Sequence, residues 1–558
     1  MNQVDVEVPR ASIFIALAPI LVLIGLLGIN VVLFGEDSSY GPNQIALLLA
    51  AAGAAIAGFW LKIPFSLMLR GVEKAIGSAL TAMLILLLIG SLAGTWMMSG
   101  IVPAMIYYGL DILNPKIFLF ASAIVCAIVS VASGSSWSTV ATVGIALLGI
   151  GSALGVNEAL AAGAIISGAY FGDKISPLSD TTNLAAAMAG TELIRHIKYM
   201  LWTTIPSFTI ALAIYLAIGF SGEPTALVTD TAALKSEVAS HFNTLSPALL
   251  MVPLVVLIMV VLKFDAVAAL FVGAVLGGVL AIACQPKMVT AIANLPDVKV
   301  TDPDTEEVTT KTPSYLKRSY VAFINSMSFE TAAVSEDATD AAKADLSAAK
   351  LASARRQTGN PNLTQKEFKK LDLKLDETFP KKEAKVAAAK LLKGKGMKGM
   401  LNTIWLILTA MCFGGIMEAC GFLRRITEPL VAMSQSNGAL VATTAGSCMF
   451  VNTTASDQYL AIVVPGQMFR ETFEERGLAP ENLSRTLEDS GTVTSVLIPW
   501  NTCGAAQSGV LGVDVLLYAP YCFFNWISPL MTIAFGFLGI GIAKLKNKKS
   551  DASKSMRS

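Results

Sequence analysis

The chain has 558 residues, 54% of them apolar and only 15% charged, where a soluble domain carries about 25% charged residues; the composition is that of a membrane protein. A net charge of +1 excludes a large nucleic-acid footprint, which would show as a basic excess on one domain. With two histidines, His196 in a basic loop and His241 in a polar one, a zinc site or a histidine-based catalytic array is hard to assemble, and the seven cysteines, without C-x-x-C spacing, read as buried free thiols.

The first apolar run, Ala11 to Phe34, follows a single Arg10, is longer than a signal h-region and lacks a small-residue cleavage site; it reads as a retained transmembrane helix. Ile76 to Met98, Ile117 to Ser133, Tyr199 to Phe220 and Asn402 to Gly421 approach the ~20 apolar residues that a spanning helix needs, so the chain reads as an all-α polytopic bundle. Between Gln285 and Gly399 the composition changes, with 20 basic and 15 acidic residues and helix-favouring runs such as Lys381 to Lys390; a helical hairpin or a flexible loop would both suit it.

The sequence also repeats itself. Gly94 to Gly100 is matched by Gly415 to Gly421 at a spacing of 321, while Ser133 to Ser138 faces Asn452 to Asp457 and Gly172 to Pro177 faces Gly491 to Val496 at 319, which sets Asp457 opposite Ser138 and Glu418 opposite Met97. Duplicated halves that each hold a broken polar motif are the pattern of secondary transporters, with the site where the repeats meet. The expected division is a transmembrane repeat over 1–234, the first helices of a second over 235–284, a charged insertion over 285–399, the rest of the second repeat over 400–545 and a basic tail over 546–558. Lys62, Arg70 and Lys74 in one loop, with Arg195, Lys198, Arg424, Arg425 and Lys544, belong on the cytoplasmic side by the positive-inside rule. That gives inverted repeats, cytoplasmic termini and an extracytoplasmic insertion.

Two motifs carry the chemistry. Ser133-Gly-Ser-Ser-Trp-Ser-Thr139 breaks a helix and frees backbone carbonyls, which hydrocarbon forbids unless protein, water or an ion satisfies them. Gly172-Asp-Lys-Ile-Ser-Pro-Leu-Ser-Asp-Thr-Thr-Asn183 sets two carboxylates among hydroxyls and an amide between apolar stretches, with Gly172 and Pro177 allowing the chain to unwind; charge at membrane depth is costly and marks ion or substrate paths. A plain surface loop, with Asp173 paired to Lys174, is the bland alternative. The second half supplies Asn452 to Tyr459, Glu488 to Ser495 and Pro499 to Thr502. Oxygen ligands almost alone suit Na+ or a proton rather than a transition metal. In a desolvated cavity a carboxylic acid keeps its proton to higher pH, so one acid can hold either H+ or Na+, and competition between them gives exchange. Asp173, Asp180 and Asp457 are the candidate acids and Na+ ligands. Ser135, Ser136, Thr181, Thr182, Asn183, Thr454, Thr492, Asn501 and Thr502 would complete the cation shell or grip a carboxylate.

No phosphate loop is present at Gly168 to Lys174, and a hydrolase built on Ser135 or Ser136 would need a histidine base, so neither an enzyme nor a cofactor is expected. Gly90 with Gly94 and Gly273 with Gly277 match G-x-x-x-G and read as helix packing.

The Gly172 to Leu184 motif, with Ser133 to Thr139 before it and Thr454 to Leu460, Glu488 to Thr492 and Pro499 to Gly504 after it, resembles the NhaC-type sodium/proton antiporter family over roughly Ala11 to Cys284 and Met400 to Lys544. The resemblance implies an ion-transporter-superfamily fold with paired re-entrant hairpins, Na+/H+ exchange and residence in a prokaryotic plasma membrane. Relatives that exchange malate for lactate, or that move amino acids, keep a carboxylate or amino-acid exchanger open as the alternative. The small-residue helices would also suit a homodimer.

Overall fold

The computed structural model describes residues 9–34, 38, 40–112, 114–221, 231–262, 264–296, 298–301, 308–332, 339–341, 343–344, 346–347, 351, 385–386, 388–389, 392–432 and 434–545. Most of the Lys381 to Lys390 run and the basic tail from 546 onward lie outside the described residues.

The first half comprises α1 (Ile13–Phe34), α2 (Pro42–Trp60), α3 (Phe65–Met98), α4 (Ile101–Ile112), α5 (Phe118–Ser133), α6 (Ser136–Ala153, π-helical over Val140–Gly144), α7 (Glu158–Ile175), α8 (Asp180–Ala189) and α9 (Leu193–Ser221). The second comprises α10 (Met251–Val261), α11 (Ala266–Cys284), α12 (Tyr315–Ser328), α13 (Leu401–Ala419), α14 (Phe422–Ala432), α15 (Asn437–Ala455), α16 (Gln458–Glu475), α17 (Pro480–Leu487), α18 (Thr502–Leu511) and α19 (Phe523–Leu538). Among the described residues eight helices are long and apolar enough to cross a membrane, or nine if the bent segment Val515–Leu538 counts as one span. Phe14, Leu21, Ile24, Leu33, Ile56 and Phe271 point outward from these helices; in a bilayer that is the lipid-facing surface, since lipid tails are as apolar as leucine.

The long helix α3 is flanked by α11 and α13, and α5 packs along α7. Helix α3 begins earlier than hydropathy suggests: Arg70 and Lys74 belong to it, so the expected Lys62 to Lys74 loop shrinks to the turn before Phe65. A helix of 34 residues is about 50 Å long and outruns the ~30 Å hydrocarbon core, which leaves its first turns in polar surroundings. There Lys74 pairs with Glu418 at 3.0 Å, which makes Glu418 a helix-end residue rather than an isolated intramembrane acid.

The glycine pairs do pack helices. A Cβ on Gly94 would lie 1.8 Å from the Ser326 carbonyl oxygen of α12, one on Gly90 would lie 2.3 Å from that of Gly396, and one on Gly277 would meet Trp96 at 2.7 Å. Part of the charged insertion is therefore built into the bundle: α12 lies against α3, and Lys393–Gly394 pairs with Thr331–Ala332. Gly94→Ala is expected to destabilise by about 1–3 kcal/mol, the cost of overpacking a closed contact. Gly53→Ala, where nothing lies within 4 Å, should not destabilise. Equal melting temperatures for the two variants in detergent would refute this account of the contact.

The two halves share a set of left-handed backbone positions. Gly100 (φ 81°) and Gly421 (φ 68°) recur 321 apart, as the sequence spacing has it. Further on, Gly134 and Ser456, Gly155 and Gly477, and Gly190 and Gly512, all with φ between 61° and 76°, recur 322 apart. This corrects the spacing of 319. The counterpart of Asp457 is Ser135, each being the N-cap that follows its left-handed residue, and not Ser138. Short runs of Ser, Thr and Gly slide against one another at little cost in similarity, whereas a left-handed residue fixes the register.

Candidate functional site

Four helices start beside one cavity. At the tip between α5 and α6, Gly134 turns the chain and the Ser135 hydroxyl accepts from the Ser138 amide; at the tip between α15 and α16, Ser456 turns it and Asp457 accepts from the Leu460 amide. The other two starts follow unwound segments. Helix α7 runs through Gly172, contrary to the expected unwinding there, because Gly172 is needed for packing: its Cβ would lie 2.3 Å from the Ala127 carbonyl oxygen. The break comes at Ser176 to Ser179, where Ser179 caps α8. Its counterpart is Ile498 to Asn501, where Asn501 caps α18.

The cavity, about 260 Å³, is lined by Ser135, Asp173, Ser179, Asp180, Thr181, Asp457, Gln458, Tyr459 and Thr502, with Ser78 and Thr81 from α3. Three candidate acids and three candidate hydroxyl residues thus come together from both halves. Asp173 and Asp457 are buried and Asp180 is exposed. Asp173 Oδ2 accepts from the Ser136 amide at 3.0 Å and from its hydroxyl at 2.7 Å. The equivalent pair in the second half is neutral: Ser495 Oγ donates to Gln458 Oε1 at 3.3 Å. Among the described residues no three His, Cys, Asp or Glu side chains are grouped to hold a metal ion, so a cation here would take one or two carboxylates and fill its shell with hydroxyls and carbonyls.

The other candidates hold the frame. Ser136 clasps Asp173; Thr182 Oγ1 donates to the Lys174 carbonyl at 2.9 Å; Asn183 donates to the carbonyls of Pro177 and Ser179 and faces outward. Thr454 bonds back to the Phe450 carbonyl at 2.8 Å, and Asn501 ties the α18 cap to Asn452 at 3.0 and 3.1 Å. The Thr492 hydroxyl is buried away from the cavity and faces the Glu488 carboxylate, with no hydrogen bond within 3.5 Å among the described residues. Hydroxyls are abundant in both motifs, and sequence does not say which of them turn inward.

Beneath the cavity lies an ion pair that sequence reasoning missed. Lys174, fully buried, pairs with Asp489 of the other half rather than with Asp173, and also donates to Ser528 Oγ at 2.9 Å; Asp489 Oδ2 accepts from Thr203 at 2.8 Å. The pair spans 315 residues and no local pattern announces it. Nor does His196 sit in a loop: it lies in α9, buried. At one end of the bundle Arg195 pairs with Glu481, and the 541–545 segment is knitted to Gly477, Ala479 and Asn482. A larger cavity, about 740 Å³, is lined by Tyr40, Asn157, Glu158, Lys395, Asn402 and Asp514.

Comparison with known proteins adds a family. The model of the Na+/H+ antiporter family matches residues 168–295 and 379–540. The Na(+)/H(+) antiporter NhaC of Alkalihalophilus pseudofirmus is 34% identical over 91% of this chain and 92% of its own length. The arginine/ornithine antiporter ArcD of Halobacterium salinarum is 31% identical over 95% and 93%, and the malate-2H(+)/Na(+)-lactate antiporter of Bacillus subtilis is 28% identical over 92% and 93%.

Proposed function

The chain belongs to the Na+/H+ antiporter family, a family of multi-pass membrane transporters and not of enzymes, and from that premise we propose that Na+ and H+ compete for the cavity between Asp173 and Asp457. The observation that carries this reading is that a buried carboxylate from each half lines one cavity where four helices begin. An acid at membrane depth is costly as a bare anion and is relieved by a proton or a cation. Each ion admitted displaces the other. If the two halves rock about a filled site only, sodium moving one way is tied to protons moving the other, with the two ion gradients as the sole driving force and no cofactor.

The same reading sets the orientation. Arg195, bound to Glu481, and Lys544, bridged to Leu478, share one end, which we take as cytoplasmic together with both termini. Lys395, from the end of the insertion, lines the large cavity with Tyr40, whose short loop Glu36 to Asn43 carries acid and no base and so belongs outside, which supports an extracytoplasmic insertion. A homodimer would use the small residues left open on the helix surfaces, Gly25, Gly28, Gly53 and Gly77, around which nothing lies within 4 Å.

A second reading is favoured by one specific observation. Helix N-termini attract anions, and four of them meet the cavity, so a carboxylate-bearing substrate would also find donors there. The test is purified protein in proteoliposomes with an internal pH dye, given Na+, Li+ and K+ in turn, beside Asp173→Asn. A Na+-selective pH change that the substitution removes supports antiport. Silence until malate, lactate or an amino acid is added would replace it by the organic-substrate exchanger.

A further inference from the structure

Glu488 is the buried acid that the cavity does not account for. It lies in the π-helical segment Glu488–Thr492 that continues α17, is 0% exposed and does not line the cavity. Its Oε1 accepts from Thr181 Oγ1 at 3.1 Å. Its Oε2 is buried with no hydrogen bond within 3.5 Å among the described residues, the Thr492 hydroxyl being the group that faces the carboxylate, and the Ser490 hydroxyl is likewise buried without a partner among them. The neighbouring cation, Lys174, is already engaged by Asp489 and Ser528, and Asp489 by Thr203 as well. The other buried cation, Arg485 of α17, is taken up by the Tyr199 ring and the Gly541 carbonyl, so with Asp173 nearby on the cavity side an ionised Glu488 would have no cation of its own in a dry interior, a state costly enough that such a group takes a proton or a counter-ion.

A wide opening for a cation is not what joins Glu488 to the cavity; two hydroxyls are. Ser179 and Thr181 both line the cavity, their oxygens are 3.1 Å apart, and Thr181 reaches Glu488. A hydroxyl both gives and accepts a proton, so such a chain conducts H+ and leaves a metal cation behind.

We propose that Glu488 is a second proton-carrying position of the exchange, loaded from the Asp173–Asp457 cavity through the hydroxyls of Ser179 and Thr181. The Thr181 O–H proton passes to Glu488 Oε1 while the Thr181 oxygen takes a proton from Ser179, which takes one from an acid or water of the cavity. Both hydroxyls end as they began, Glu488 gains one proton and the cavity loses one. The inference rests on the reading of that cavity as the Na+ site, and it separates the path of the proton from that of the sodium ion.

Proteoliposomes test it with two readouts: Na+-driven proton flux, and 22Na+/Na+ equilibrium exchange, which moves no net proton. Glu488→Gln is expected to cut proton flux by about a hundredfold, the lower end of what a positioned proton donor contributes, while 22Na+ exchange continues. Thr181→Val is expected to cut proton flux similarly, and Thr181→Ser to restore it. Wild-type proton flux in folded Glu488→Gln overturns the proposal, as does a parallel loss of 22Na+ exchange, which would make Glu488 a sodium ligand. Should Glu488→Gln fail to fold, the threonine pair decides: proton flux in Thr181→Val equal to that in Thr181→Ser overturns it. If the wild-type protein itself shows no 22Na+ exchange, the cavity assignment falls and this inference with it.

Discussion

Lys174→Met is expected to lower stability by about 3–5 kcal/mol, because it leaves Asp489 as an uncompensated charge with Thr203 and Ser528 as its remaining partners. Neither member of the pair is exposed. Removing both charges should be far milder, since a buried ion pair that is replaced whole gives back its desolvation cost. Lys174→Met with Asp489→Leu should therefore recover most of the loss, and the coupling can be read from a double-mutant cycle of melting temperatures in detergent. Additive losses in the double variant would show that the two side chains stabilise the protein separately. Because Lys174 lies in the last turn of α7, next to the cavity-lining Asp173, and Asp489 in the π-helical segment that continues α17, the pair fastens the two halves beside the cavity.

The second large effect separates structure from chemistry at Asp457. Its side chain caps α16 through the Leu460 amide at 2.9 Å, and the equivalent cap in the first half is Ser135. Serine and aspartate cap helices about equally well. Asp457→Ser should then hold the fold to within about 0.5 kcal/mol while removing the charge that we propose binds Na+, at roughly 1.5–3 kcal/mol, or about 10–150-fold in the Na+ concentration for half-maximal exchange. Asp457→Ala should lose the cap as well, at about 1 kcal/mol. The check is to measure melting temperature and Na+ dependence on the same preparations. An unchanged Na+ dependence in Asp457→Ser would reduce Asp457 to a capping residue.

Much of this was legible in the chain. The spans, the break at Gly134 and the polar stretch around Asp173 to Thr181 follow from apolar run length and from residues that hydrocarbon does not tolerate without partners. Four things were not. The register of the halves depended on left-handed residues, which Gly134 suggests but Ser456 conceals. The contact of Lys174 with Asp489 joins residues whose local surroundings say nothing of each other. The start of α3 was hidden by Arg70 and Lys74, charges that a helix keeps once it has left the hydrocarbon. Sorting Ser135, Thr181 and Thr502 at the cavity wall from Thr182, Thr454 and Asn501 in the frame needed side-chain direction, which composition does not carry.

The tips at Gly134 and Ser456 each turn on a single left-handed residue with a cap directly after it, and so contain no slack. Neither can swing like a flap without giving up its cap, at about 1 kcal/mol each. What such a joint permits is carriage: each hairpin travels as a solid piece with its tip attached. A pair of spectroscopic labels flanking one tip should therefore keep its separation through the transport cycle, while a label on the Gly134 tip and another on the Ser456 tip, carried by different halves, should not.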